Sequence, residues 1–260
     1  MAHSNEEAIA RLVAIMARLR AEDGCPWDRE QDHRSLRKYL IEETCEVIDA
    51  IDRDCDADLV EELGDLLLQI VFHSRIAEEE GRFVLADVAD GVSDKMIRRH
   101  PHVFGAAHCE TADDVLDRWE DIKAVEKAAK AETRFTIPPS FPALYRAEKI
   151  QKKAAKVGFD WDRSDDVRAK IVEELQECDE ALANGGDFEE ELGDLLFATV
   201  NWARFHRVDS EEALRRTNQK FIDRFTCMEE LMQADGADIE ALSLAEMDVY
   251  WERAKKRMKG

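Results

Sequence analysis

The sequence predicts an all-α protein made of two copies of one helical unit in tandem. Glycine and proline are scarce, with 11 and 5 among 260 residues, and no segment shows sustained strand alternation. Two acidic words also recur in the same order, EExxE and then EELGD. They occupy 42–46 and 61–65 in the first half, and 173–177 and 190–194 in the second half. This ordered repeat indicates a duplicated unit.

Apolar residues at helical spacing predict the elements of both halves. The first helix is broken at Gly24–Pro26, and the third is ended by Gly81. Three of the five prolines lie in 136–142, so we expect a proline-rich linker there, between domains 1–135 and 143–260. The predicted helices are 6–20, 35–52, 58–80, 85–100 and 112–131, followed by 143–156, 166–183, 188–207, 210–234 and 244–259.

Charge and composition limit the partners. With 59 acidic and 37 basic residues, the net charge is −22, which would repel nucleic acid and anionic membranes, so we expect neither as a partner. No apolar run approaches the roughly 20 residues that span a bilayer, and no signal peptide is visible. The six cysteines are scattered without a CxxC pair, which is typical of reduced thiols. We therefore expect a cytoplasmic protein.

The acidic words have the spacing of a metal site. Residues three apart share a helix face, so Glu43 and Glu46 point together. Glu62 and Asp65 do the same on the next helix, and a hairpin of the two helices would bring four carboxylates into one space. Like charges at that density repel unless a cation lies among them. Oxygen ligands without His or Cys favour a hard cation such as Mg²⁺.

Two basic elements follow each pair of acidic words. KxxxR occurs at 95–99 and 220–224, and WxxxK occurs at 119–123 and 251–255. Cations one helical turn apart could neutralise the oxygens of a polyphosphate. The tryptophan could stack on a base or simply belong to the core.

Assembly is indicated by two helical stretches that are apolar nearly all round, Leu66–Phe72 and Leu195–Val200. Such helices are buried on more than one side, so we expect subunits to associate as a helical bundle. Gly64 and Gly193 lie inside these helices, where glycine costs about 1 kcal/mol relative to alanine. Close approach of another helix or of a bound phosphate would explain both glycines.

The ordered elements EExxE, EELGD, KxxxR and WxxxK, in two copies joined by a proline-containing linker, closely resemble the MazG family of nucleoside triphosphate pyrophosphohydrolases. The likeness covers essentially the whole chain, including Gly24–Asp28 and Arg98–Phe104. It implies two MazG-like all-α domains, which form four-helix-bundle-type cores in a homodimer. It also implies Mg²⁺-dependent hydrolysis, with Mn²⁺ as a substitute, of ribo- and deoxyribonucleoside triphosphates of any base to monophosphate and pyrophosphate. The implied role is housecleaning of the nucleotide pool.

The resemblance also implies roles for individual residues, and it places catalysis in the second copy. The sequence itself does not show why, because the first copy retains a full set of equivalents. The segment from Arg99 to Trp119 is shorter than its counterpart and carries His100-Pro101-His102. The implied metal ligands are Glu174, Glu177, Glu191 and Asp194, with Glu173, Glu174 and Glu190 as catalytic groups. Lys170, Lys220, Arg224, Trp251 and Lys255 would bind substrate. The first-copy equivalents are Glu43, Glu46, Glu62, Asp65, Lys95, Arg99, Trp119 and Lys123.

Other interpretations fit less well. A di-iron bundle needs Glu-x-x-His on two helices, and the sequence has it only at Glu30-x-x-His33. A calcium loop over 52–63 would have Ala57 where glycine is required and Leu63 where glutamate is required. A non-catalytic acidic dimer that binds nucleotide or serves as a scaffold stays open. A zinc site at His100, His102, His108 and Cys109 matches no standard spacing.

Overall fold

The computed structural model describes residues 4–106 and 135–259, together with 111, 114–115, 118–119, 122–123, 126 and 133. The chain divides into two compact units, 1–128 and 129–260. The described residues form eleven α-helices and one 3-10 helix, and no strand occurs among them, so the all-α prediction is confirmed. Most of the predicted helix 112–131 lies outside the described residues, as do His108 and Cys109 of the zinc alternative.

The first unit begins with a capped helix. Ser4 accepts a hydrogen bond from the backbone of Glu7, and the Glu7 carboxylate accepts one from the backbone of Ser4, which satisfies two free amides. Helix α1 then ends at a turn that requires glycine, because a β-carbon at Gly24 would lie 2.2 Å from the carbonyl oxygen of Leu19. The helices are α1 (Asn5–Leu19), α2 (Pro26–Glu30), α3 (Arg37–Asp52), α4 (Asp56–Glu79), α5 (Leu85–Arg99) and α6 (Pro101–Phe104).

Helix α4 forms the centre of the first unit and packs against α1, α3 and α5. Its contact with α3 is the most extensive in the unit, so the two helices that carry the acidic words lie side by side. Arg20 follows α1 with its side chain only 8% exposed. It bonds Glu79 at 2.8 Å and donates to the backbone carbonyls of Asp28 and Gln31. The buried core residues are Met16, Leu36, Val71, Phe72 and Ile76.

The second unit repeats the acidic hairpin. Its first acidic helix ends at Gly185, whose φ of +74° belongs to the left-handed region that glycine adopts readily. Asp187 then caps the next helix by accepting bonds from the backbone amides of Glu189 and Glu190 at 3.1 and 3.2 Å. The helices are α7 (Ala143–Ala155), α8 (Ser164–Asn184), α9 (Phe188–Phe205), α10 (Ser210–Ala234) and α11 (Leu244–Arg257), with the 3-10 helix at Ile239–Ala241.

Two packing centres organise the second unit. The first is the α8–α9 hairpin, which has the most extensive contact in the chain and is flanked by α7. The second lies between α10 and α11, where Met228, Met232 and Ala254 are buried. The acidic words therefore lie on one pair of helices, and the KxxxR and WxxxK elements lie on another.

Large apolar side chains stay exposed along the acidic hairpins. On α8, Leu175 is 51% exposed, and on α9 Leu196 and Phe197 are 51% and 41% exposed. The helices predicted to be buried all round are thus only partly covered within one chain. Beyond the turns of its own helix, a β-carbon at Gly64 or Gly193 would meet no heavy atom within 4 Å. Close packing within the chain therefore does not explain either glycine.

Among the described residues, no helix is both long enough and apolar enough to cross a membrane. The five described cysteines, at positions 25, 45, 55, 178 and 227, are all free.

Candidate active site

The α8–α9 hairpin gathers three carboxylates in the second copy. One oxygen each of Glu174, Glu177 and Glu191 lies within 4.8 Å of the others. Glu174 is only 4% exposed, and one of its oxygens lies 2.6 Å from Nζ of Lys170. Its other oxygen, Oε2, is buried without a hydrogen-bond partner. Because an unsatisfied buried acceptor is costly, a cation next to this oxygen would stabilise it.

The electrostatics of the cluster favour bound positive charge. A hydrogen bond with Glu174, burial and the Glu174 charge together raise the pKa of Glu177. Hydrogen bonds to Glu173 and then to Glu174 raise the pKa of Lys170, so this lysine stays protonated. A single ammonium group cannot offset all the carboxylates beside it. The excess negative charge indicates a place for a divalent cation.

The other acids predicted for this site, Asp194, Glu173 and Glu190, have different surroundings. Asp194 lines a cavity together with Lys170 and Glu174. Glu173 is largely exposed and lies 2.8 Å from Lys170. The side chain of Glu190 forms no hydrogen bond or ion pair with another described residue. The structure therefore clusters Glu174, Glu177 and Glu191 and places Asp194 in the wall of the adjacent cavity.

The cavity beside the carboxylates has a volume of about 480 Å³. Its polar wall includes Gln151, whose amide nitrogen donates to the carbonyl of Phe197 at 2.8 Å and whose Oε1 is buried without a partner. It also includes Asn201, which is 3% exposed and accepts from Arg204 at 2.8 Å. Sequence reasoning missed this cavity, although Gly158–Asp162 supplies part of its wall. Its aromatic wall consists of Phe135, Phe159, Trp161 and Phe197.

The predicted basic elements of the second copy meet on α10 and α11. The guanidinium of Arg224 lies 5.0 Å from the ring centre of Trp251, and the ring of Phe221 lies 5.2 Å from it. Lys255 pairs with Glu252. Lys220 is exposed and forms no ion pair with a described residue. Trp251 does not line the cavity, and no hydrogen bond or ion pair among the described residues joins this basic group to the carboxylates.

The first copy has a carboxylate cluster of its own on α3 and α4. Oxygens of Glu43, Glu62 and Asp65 lie within 4.8 Å of one another. Burial and then the charges of Asp65, Glu46 and Glu62 raise the pKa of Glu43. Burial, followed by the charge of Glu46, also raises the pKa of Glu62. The four acids predicted for this copy thus interact electrostatically.

The basic group of the first copy is arranged differently. Lys123 lies over the ring of Trp119 at 4.8 Å, and His100 packs edge-on against that ring at 5.0 Å. Arg99 is bonded to Glu126, a residue that sequence reasoning did not single out. Lys95 is half-buried and forms no ion pair with a described residue. The arginine of KxxxR and the lysine of WxxxK therefore have different partners in the two copies.

Comparison with known proteins finds one family in both copies. The model for the MazG nucleotide pyrophosphohydrolase domain matches residues 31–104 and 163–226. The chain is 50% identical over 245 residues to the nucleoside triphosphate pyrophosphohydrolase/pyrophosphatase MazG of Thermotoga maritima, covering 94% of each chain. It is 46% identical over 256 residues to the nucleoside triphosphate pyrophosphohydrolase of Escherichia coli K12, covering 96% of this chain and 97% of that one. An uncharacterized protein of Bacillus subtilis is 44% identical over 94% of this chain and 50% of its own length.

Proposed function

The chain belongs to the MazG nucleotide pyrophosphohydrolase family and is a nucleoside triphosphate pyrophosphohydrolase, and we propose that its second copy carries out the reaction with Mg²⁺. The observation that carries this proposal is the cluster of Glu174, Glu177 and Glu191 beside an apolar cavity. Glu174 Oε2, which is buried and unpartnered, supports a cation at this point. The reaction cleaves the α–β phosphoanhydride and yields nucleoside monophosphate and pyrophosphate.

The proposed metal ligands are the three clustered glutamates together with Asp194. When bound, Mg²⁺ would neutralise phosphate oxygens and acidify water, and Mn²⁺ would serve in its place. Glu173 or Glu190, which flank the metal ligands in the sequence, would accept a proton from the attacking water, with Glu174 positioning it. Lys170 carries a permanent positive charge beside Glu174, and it would contact the phosphates as negative charge moves onto the leaving pyrophosphate.

The cavity would accommodate the nucleoside. Stacking on aromatic faces such as those of Phe159 and Trp161 tolerates every base, because every base has a π-face. Gln151 Oε1 has no partner, so it could accept a bond from a base that enters. No described group in this wall selects strictly for one base. These features support broad use of nucleoside triphosphates. We propose that both ribo- and deoxyribonucleotides are substrates and that the enzyme serves in housecleaning of the nucleotide pool in the cytoplasm.

The group around Trp251 would hold the outer phosphates or the nucleotide edge. Arg224 is preorganised by its stacking on Trp251, and its Nε is buried without an acceptor. Lys220 forms no ion pair within the described part of the chain, and Lys255 lies one turn beyond the tryptophan. Together they would supply the positive charge that a triphosphate requires.

We also propose a homodimer formed through the acidic hairpins. The exposed Leu175 and Leu196 lie on the two helices that carry the metal ligands, and burying them would stabilise the association. Leu196→Asp should shift sedimentation at micromolar concentration from dimer to monomer. Leu244→Asp is the matched control, because Leu244 is 82% exposed and lies on α11. A wild-type monomer would contradict the proposal.

A substrate panel tests the proposed activity. Wild type should release pyrophosphate from nucleoside triphosphates when Mg²⁺ is present, and Glu174→Gln should release none. The first-copy variant Glu43→Gln should retain most of the activity. Release of orthophosphate alone would indicate a different phosphohydrolase. Nucleotide binding without any hydrolysis would favour the non-catalytic dimer instead.

A further inference from the structure

Glu126 joins two arginines at the end of α5. Arg98 Nε donates to one of its oxygens at 2.8 Å, and Arg99 donates to both oxygens. The side chains of Arg99 and Glu126 are 19% and 20% exposed, so water competes only weakly for this pair. The hydrogen bonds from Arg99 and then from Arg98 lower the pKa of Glu126 to about 2. Glu126 is therefore an anion at any pH at which nucleotides would be bound.

The second copy lacks this carboxylate. When the two WxxxK elements are superposed in register, the position of Glu126 is occupied by Met258. When the two KxxxR elements are superposed, the position of Arg98 is occupied by Asp223. Both members of the Arg98–Glu126 pair are therefore absent from the second copy. The copies keep the same basic elements and differ in the anion placed against them.

The arginine of KxxxR has a different partner in each copy. Arg224 stacks on Trp251 and forms no ion pair with a described residue, and its buried Nε has no acceptor. Arg99 presents its guanidinium to Glu126 instead. A carboxylate and a phosphate use the same planar set of N–H donors, so only one of them can occupy this guanidinium fully.

We propose that Glu126 competes with substrate phosphates for Arg99 and thereby weakens nucleoside triphosphate binding at the first copy relative to the second. The inference rests on the proposed function, since it concerns the same ligand at the duplicated site. A triphosphate that reaches Arg99 must displace Glu126. The displaced Glu126 carboxylate then lies, partly desolvated, next to the negative charge of the triphosphate. The loss of the Arg99–Glu126 pair and this repulsion both oppose binding.

The test counts nucleotide sites on the full-length chain. Equilibrium dialysis with Mg²⁺ and an ATP analogue carrying a methylene bridge between the α- and β-phosphates should give one tight site per chain in wild type. Glu126→Gln keeps the size and removes the charge, and Glu126→Met installs the second-copy residue. Either should tighten the weaker site at least tenfold, which corresponds to about 1.4 kcal/mol. Asp23→Asn is the matched control, because it also neutralises an arginine-paired carboxylate in the first unit, at 2.6 Å from Arg18.

Substitution of Arg99 completes the test, because the gain in Glu126→Gln should require the Arg99 guanidinium. In wild type, Arg99→Ala should leave the tight site unchanged, whereas adding it to Glu126→Gln should abolish the gain. Two equally tight sites in wild type would overturn the inference while leaving the proposed function intact. An unchanged weak site in both Glu126 variants would do the same. Absence of any tight site in wild type would overturn the proposed function and the inference with it.

Discussion

Replacing Glu174 by glutamine tests the metal site directly. The substitution keeps the shape of a side chain that is 4% exposed and removes the charge that faces Glu177 and Glu191. The remaining amide oxygen can still face the cation, but it carries no formal charge. Lys170 keeps Glu173 as a partner at 2.8 Å, so the variant should fold. We expect it to lose most of the metal-dependent stabilisation together with pyrophosphate release.

The size of the effect follows from linkage. A ligand present at 100 times its Kd adds about 2.7 kcal/mol to the free energy of unfolding. For a unit of about 130 residues, an unfolding entropy near 2.1 cal/mol/K per residue converts this to a rise in Tm of roughly 10 °C. Loss of one metal ligand should weaken Mg²⁺ binding about 10- to 100-fold, because loss of an outer group that only orients a ligand already has an effect of this size. The Mg²⁺-induced rise should then fall to roughly 1–5 °C at the same concentration.

Differential scanning calorimetry with and without Mg²⁺ measures this rise, and a pyrophosphate-coupled assay measures activity on the same samples. Glu180→Gln is the matched control, because Glu180 is exposed on the same helix and lies outside the cluster. It should behave as wild type in both measurements. A full Mg²⁺-induced rise in Tm for Glu174→Gln would refute the assignment of Glu174 as a ligand.

Three further substitutions have defined outcomes. In metal-free protein, Glu43→Gln should stabilise the first unit at pH 7. Burial and the neighbouring acids raise the pKa of Glu43 above its ordinary 4.5, so the ionised Glu43 opposes folding at this pH. Urea unfolding should show this gain vanishing below about pH 4.5, and a pH-independent gain would contradict it. Arg20→Ala should lower the free energy of unfolding in urea by about 2–3 kcal/mol, because Glu79 and two backbone carbonyls lose a buried donor. A loss under about 0.5 kcal/mol would contradict that role. Arg224→Ala should lower kcat/KM about 10- to 100-fold. The control Arg216→Ala, on the same helix, should change kcat/KM less than about twofold. Equal effects of the two substitutions would show that Arg224 is not part of the site.

The helices could be predicted because their signals are local. Apolar spacing located every long helix in the described part to within a few residues, and the predicted helix 210–234 has the observed bounds. The short helices α2 and α6 were not predicted. Each begins with a proline, at Pro26 and Pro101. From the sequence, Pro26 is interpreted as part of a helix break, and no helix is assigned to the stretch that contains Pro101. Proline lacks the amide that a first turn leaves unpaired, so it suits the start of a helix as well.

The site was predictable where it depends on helical periodicity and not where it depends on tertiary packing. Spacing alone placed Glu174 and Glu177 on one face. It could not show that Glu174 is buried, nor that distant segments enclose a cavity beside it. The contrast between Glu126 and Met258 was visible in the sequence, since aligning the WxxxK elements one turn further exposes it. Residues that differ between the two copies are therefore as informative as the residues that the copies share.

Replacing Gly64 or Gly193 by alanine can report on subunit assembly, because the sign of the resulting change in stability depends on whether another helix covers the position. Within one chain, a methyl group at either position meets nothing outside its own helix. On an open helix surface, Gly→Ala gains about 1 kcal/mol from helix propensity and from the smaller entropy of the unfolded chain. When another helix covers the position, the same methyl group has to displace packed atoms, and the gain becomes a loss. If the proposed homodimer covers these glycines, dilution alone should turn a destabilising alanine at either position into a stabilising one.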